Sequence, residues 1–210
     1  MDIQHEMIIP AFCNKDEIDK LVEQVYQLFT WYSPGATREK IRSRLCASLD
    51  AHVDLLLDGE FTVAFAVCMP IFLDNGEVCL FRHGTIIDHS YRSHGFYRKL
   101  LEIGLVRHKP DWHATRTQNP RVYETWQRIH GKELLPKPLH TPAEREKKIA
   151  VELAHGTHFE RDLLIARNVY HEDRSSADYH LCRDENIRLF FQQSLGVHDA
   201  FLLLARMKNV

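Results

Sequence analysis

No stretch of this sequence approaches the run of about 18 apolar residues that a membrane-crossing helix needs, so no membrane association is expected. Neither sign of charge dominates. Lys and Arg number 27 and Asp and Glu 29, a net charge of −2. A chain so balanced is not built around a polyanion, and nucleic acid is not an expected partner. Cys-x-x-Cys pairs are absent, and the five cysteines (Cys13, Cys46, Cys68, Cys79 and Cys182) are odd in number. That argues against a disulfide framework and suits a reducing, cytoplasmic compartment. Cys46, Cys68 and Cys79 lie in apolar runs and read as small core hydrophobes. The opening MDIQHEMIIPAF lacks the basic start and apolar centre of a signal peptide. No repeat and no low-complexity tract occurs.

What remains is ordinary globular composition, 44% hydrophobic and 27% charged over 210 residues. One domain over 1–210 is the default, two small domains the alternative. A short strand in the first 12 residues precedes a helix opened by Asn14-Lys15-Asp16-Glu17, a capping box. Ser33-Pro34-Gly35 breaks it. A second helix starts at Thr37 and carries Ile41, Leu45 and Leu49 on one face. A β-rich block follows: Val53–Leu57, the turn signal Asp58-Gly59, Phe61–Cys68, the turn Asp74-Asn75-Gly76, and Val78–Asp88. Phe96–His108 is helical, Trp112–Thr117 a strand, and Asn119-Pro120 caps a helix that stops at Gly131. Beyond it, 132–185 forms an insertion. Pro136, Pro138 and Pro142 mark a connector, Thr141–Glu144 opens a helix through Leu153, and a further amphipathic helix runs from Phe159 to Tyr170. Ser175-Ser176 sits in a polar break. A closing helix, Asn186–Leu195, and strand, Ala200–Met207, complete the chain.

The informative segment is Thr85-Ile-Ile-Asp-His-Ser-Tyr-Arg-Ser-His-Gly-Phe-Tyr-Arg-Lys-Leu-Leu101, a strand running through a short turn into a helix. A helix start presents unpaired N–H groups and partial positive charge, a ready anion site. Arg92 adds a full charge. Gly95 removes a Cβ from the path of an approaching phosphate.

This segment resembles motif A of the GNAT superfamily of N-acetyltransferases, Arg/Gln-x-x-Gly-x-Gly/Ala, which cradles the pyrophosphate of coenzyme A. Here it stands as Arg92-Ser93-His94-Gly95-Phe96-Tyr97, with Tyr97 in place of the second small residue. Thr115–Tyr123 resembles the family's fifth strand and following helix, where Asn119 would lie beside the pantetheine arm. The resemblance covers residues 1–131, the acyl-CoA-binding core, and 186–210 closes the sheet. It implies an α/β (α+β) fold: a mixed, mostly antiparallel sheet flanked by helices, with a helical insertion before the last helix and strand. It implies acyl transfer from acetyl-CoA or another acyl-CoA to a small-molecule or peptide amine. Arg92–Tyr97 and Asn119 would hold the coenzyme, and backbone N–H groups near Ile87 would polarise the thioester carbonyl. His83, on the strand leading into the motif, or Tyr123 would handle protons. Asp88 and His89 are alternatives to His83. The family's usual acid tyrosine falls near Trp126, one turn past Tyr123.

Each residue has a plainer role beside the chemical one. Arg92 and Gly95 suit any strand-to-helix turn, Asn119 is a helix cap, Tyr123 a core aromatic, and His83 a satisfied strand histidine. His155 and His158 form His-x-x-His, but Gly156 interrupts the helix a metal pair would need, and His171 and Glu172 add little, so no metal is expected. The charge clusters at 38–44 and 145–148 read as solvated helix faces. Phe159, Leu163 and Leu164 read as core, with an acyl lid or a homodimer contact as alternatives. Two rival functions stand: a long-chain N-acyl transferase whose pocket the insertion shapes, and a catalytically degenerate acyl-CoA-binding or partner module.

Overall fold

The computed structural model describes residues 2–32, 35–154, 157–170 and 179–207. Two compact units make up the chain: Met1–Ile71 with Leu80–Pro110, and Phe72–Cys79 with Asp111–Val210. Antiparallel strands with helices packed on them form both, so the chain is a mixed α/β protein whose open sheet is mostly antiparallel. No helix among the described residues is long and apolar enough to cross a membrane.

In the first unit, β1 (Ile3–Ile8), β2 (His52–Asp58), β3 (Phe61–Phe72) and β4 (Val78–Ile87) are neighbours in chain order. Helices α1 (Lys15–Tyr32) and α2 (Arg38–Leu45) cover one face and α3 (Phe96–His108) the other. The capping box at α1 forms as expected: Asn14 Oδ1 accepts from the Glu17 N–H at 3.0 Å, and Glu17 reaches back to the Asn14 N–H at 2.7 Å. Thr37 caps α2. Strand alternation sorts the core. Val53, Leu55, Phe65 and Val67 pack against α1 and α2, whereas Leu56, Ala64, Ala66 and Cys68 pack towards α3. The turn between β2 and β3 is the pair Gly59-Glu60, since Asp58 faces Phe61, and Gly59 takes the left-handed φ of +61° such a turn requires.

In the second unit, β5 (Trp112–Thr117) pairs with β9 (Ala200–Arg206), β9 with β8 (Ile165–Arg167), and β8 with β7 (His158–Glu160). The two-residue β6 (Leu134–Leu135) also pairs with β9. Helices α4 (Pro120–His130), α5 (Glu144–Ala154) and α6 (Glu185–Ser194) complete it. Tyr123, Phe190, Phe191 and Phe201 form an aromatic cluster with edge-to-face and stacked pairs.

Three expectations are corrected. Residues 159–170 are not a helix but the β7–β8 hairpin, turned at Arg161–Leu164. Pairing of Ile165 with Phe201 and Ala166 with Ala200 outweighs the helical spacing of Phe159, Leu163 and Leu164. Leu49 does not join the α2 face: the helix ends at Leu45, and Leu49 is 82% exposed. Cys46 caps that end and is exposed, while Cys68 and Cys79 are buried as expected. His155, Gly156, His171, Glu172, Ser175 and Ser176 lie outside the described residues, as does part of the Ser33-Pro34-Gly35 break.

Candidate functional site

β4 delivers the chain to the loop, and its facing reverses on the way. Leu80 packs with Phe96 and Leu100, and the Arg82 guanidinium lies 5.6 Å from the Tyr97 ring centroid, so both face α3. The Cβ direction of Gly84 instead meets Arg44 of α2 at 3.9 Å, and Ile86 packs among α1 and α2. Residues of one parity on opposite faces mean an extra residue between Arg82 and Gly84, a β-bulge. The bulge re-aims the last residues of the strand. Thr85 accepts from Arg82 Nη1 at 2.8 Å, and Ile87 packs against the α3 cluster. His83 sits at the bulge, half-buried, 6.4 Å from the Phe81 ring.

Beyond Ile87 the chain is pinned at several points. The Asp88 N–H donates to the Val63 carbonyl at 2.8 Å, and its carboxylate caps the following turn by accepting from the Ser90 N–H at 2.8 Å. The Tyr91 hydroxyl donates to Asp58 at 2.8 Å, a bond that with burial and the nearby carboxylates raises the phenol's pKa. Ser93 and Gly95 both have left-handed φ, 71° and 79°. Between them His94 folds back, its Nδ1 3.2 Å from the Tyr91 carbonyl and 3.0 Å from the Arg92 carbonyl. Both partners are acceptors, so Nδ1 carries the proton and donates. The ring thereby ties up two oxygens that would repel an anion.

The start of α3 is open to an anion. Gly95 is its N-cap, no side chain caps it, and the first turn holds no carboxylate. The first helical bond runs from the Lys99 N–H to the Gly95 carbonyl at 2.9 Å, so the earlier N–H groups point out of the helix end. A Cβ on Gly95 would meet no atom within 4 Å, which leaves the approach to these N–H groups clear. Phe96 is buried in the α3 cluster and anchors the turn. Tyr97 stacks its ring towards Arg82, within its own unit.

Asn119 and Tyr123 belong to the second unit. Asn119 caps α4, its Oδ1 accepting from the Arg121 N–H at 2.9 Å, and its own N–H donates to Thr117 Oγ1 at 2.9 Å. Tyr123 is 1% exposed, and its hydroxyl donates to the Pro136 carbonyl at 2.8 Å. Burial pushes its pKa up to about 12.

Arg82, Tyr91 with Asp58, and the back-folded His94 ring are the supports that sequence reading misses. Arg82 alone carries a signal, a cation inside a strand where Cys79, Leu80 and Phe81 are all buried.

No family model matches the sequence, and no curated protein is a significant match. Solved structures do match. A chain of the NatC complex bound to Gag peptide and CoA superposes with a TM-score of 0.51 at 12% identity, covering 99% of this chain and all of that one. An aminoglycoside acetyltransferase from an uncultured soil metagenomic sample, in complex with sisomicin, gives 0.50 at 11% identity over 67% of this chain and 95% of its own. A strand-bulge-loop-helix passage on an antiparallel sheet, and these superpositions, lead to one conclusion: the chain has the fold of the GNAT N-acetyltransferases.

Proposed function

We propose that the chain transfers an acyl group, acetyl first among them, from coenzyme A to an amine. The observation that carries this reading is the start of α3: an uncapped helix end without carboxylates, approached over a left-handed glycine and flanked by Arg92. Arg92, Ser93, His94, Gly95, Phe96 and Tyr97 would hold the pyrophosphate, mostly through backbone N–H groups. The bulge in β4 turns Ile87 to the α3 side, where its backbone would polarise the thioester carbonyl. In the reaction the amine nitrogen forms a bond to the acyl carbon, the C–S bond breaks, and the amine's proton leaves. His83, half-buried at the bulge, is the group we assign to that proton. The acceptor we infer is a primary amine on a peptide or a small molecule. The two matched structures hold a peptide and sisomicin, which supports that class.

One observation favours the binding-only reading. The Tyr123 hydroxyl donates to the Pro136 carbonyl and burial raises its pKa, so the proposed acid is tied up within its own unit. Calorimetry separates the readings. Acetyl-CoA and a long-chain acyl-CoA are titrated into the wild type and into an Arg92→Ala, Gly95→Trp double variant. Binding by the wild type and none by the folded variant supports the site, and the preferred donor distinguishes acetyl from long-chain transfer. Binding without turnover across an amine panel would leave a sensor or partner module. A folded wild type that binds neither donor overturns the proposal.

A further inference from the structure

Under the last turn of α3, far along the helix from the coenzyme loop, metal-ligating side chains converge. His52 and Asp54 are two apart on β2 and so share its α3-facing side. Register places Cys68 of β3 directly opposite His52. His108 of α3 stands beside the group, its Nε2 3.2 Å from His52 Nε2. His52, Asp54 and Cys68 are 3%, 0% and 0% exposed, and one ligand atom of each lies within 4.8 Å of the others. Their neighbours on that side, Leu56, Ala64 and Ala66, are apolar. Buried polar groups in such a place need partners of their own.

Nε2 of His52 faces both Asp54 and His108, which turns the ring into the group. Two imidazole nitrogens on one tetrahedral Zn²⁺, each at about 2.0–2.1 Å, stand about 3.3–3.4 Å apart, close to the separation seen here. Asp54 Oδ2 lies 3.9 Å from His52 Nε2 and needs to close by only about half an ångström. Arg107 and His5 grip Oδ1 at 2.8 Å, and Arg107 reaches Oδ2 at 3.2 Å. Oδ2 keeps a lone pair on the His52 side, and Arg107 and His5 hold the carboxylate from behind.

We propose that His52, Asp54, Cys68 and His108 form a site for one zinc-type divalent cation, which ties the end of α3 to β2 and β3. Binding releases the Cys68 thiol proton to solvent, and the proton shared between the two imidazoles moves to the outward ring nitrogen of the histidine that carries it. Thiolate and imidazole donors favour zinc over magnesium or calcium.

The test uses the whole chain, stripped with chelator and titrated with Co²⁺ under an absorption spectrometer. Saturation at one equivalent is expected, with tetrahedral ligand-field bands in the visible and a thiolate charge-transfer band in the near ultraviolet, all removed by added Zn²⁺. Cys68→Ala removes the charge-transfer band, and His108→Asn weakens Co²⁺ by about tenfold or more. Circular dichroism confirms that each variant is folded. A folded wild type without bands in excess Co²⁺ overturns the site, as does a charge-transfer band that survives Cys68→Ala. If Cys68→Ala does not fold, His108→Asn decides, and unchanged affinity there overturns the site.

Discussion

His130 ends α4, and two effects compete for its proton. The helix C-terminus favours an imidazolium by about 0.3–1 kcal/mol, and up to about 2 in partly buried cases. Burial opposes it and wins, pushing the pKa from 6.5 down to about 4. Nε2 lies 3.1 Å from His113 Nδ1, and the ring packs 5.1 Å from the Trp126 centroid. Because the folded pKa is depressed, the unfolded chain binds more protons between about pH 6.5 and 4. Stability therefore falls as pH falls through that window, by up to about 1.4 kcal/mol per pH unit and about 3 kcal/mol in all. Urea unfolding of the wild type and His130→Asn at steps from about pH 7.5 to 4 isolates this, since the other titrating groups are common to both. Losing the bond to His113 shifts the variant by a roughly constant amount, about 1 kcal/mol. The slope is the signal: the wild type loses about 3 kcal/mol more than the variant on acidification. A difference that stays flat across the window would mean that His130 binds its proton equally in the folded and unfolded chain, and the reasoning fails.

The packing leads to three further outcomes. Leu100→Ala, at a position with no exposure, opens a cavity between α3 and the sheet and lowers stability by about 2–5 kcal/mol in denaturant unfolding. Tyr97→Ala removes the stacking on Arg82 and lowers the melting temperature, yet acetyl-CoA affinity by calorimetry stays within about twofold, a change of about 0.4 kcal/mol. A loss beyond about tenfold would place the ring against the phosphates instead. Asn119→Ala removes the α4 cap and costs about 1 kcal/mol by chemical unfolding, checked against Asn119→Asp, which keeps the acceptor.

Local signals are legible in the sequence where local physics decides. The Asn14–Glu17 box, Thr37 and Asn119-Pro120 each satisfy helix-end groups within a few residues, and Gly95 marks a helix start left open, so spacing alone reveals them. The β7–β8 hairpin is illegible for the opposite reason. Leu164 and Asn168 take left-handed φ of 54° and 53° without being glycine, and the strands are held by β9, more than thirty residues on. Pairing at that range leaves no periodicity in a three-residue strand. The candidate site divides in the same way. Arg92 and Gly95 stand out in sequence, whereas the bulge that turns Ile87, and the Asp58 partner of Tyr91, depend on neighbouring strands. The His52, Asp54 and Cys68 group is invisible in the sequence because cross-strand register, not spacing, assembles it.

Helix α3 has 13 residues, about 18 Å from first to last at 1.5 Å per residue. Arg107 hooks its far end to Asp54, and at Gly104 the backbone lies so close to β3 and β4 that a Cβ would stand 3.2 Å from Leu80 and 3.8 Å from Cys68. Such a strut can neither roll nor slide without deforming a packed contact or a buried ion pair. An anion pulling on its first turn works against a fixed rod, not a yielding loop. The stiffness of the open helix start is therefore set partly at residue 54, at the opposite end of the helix.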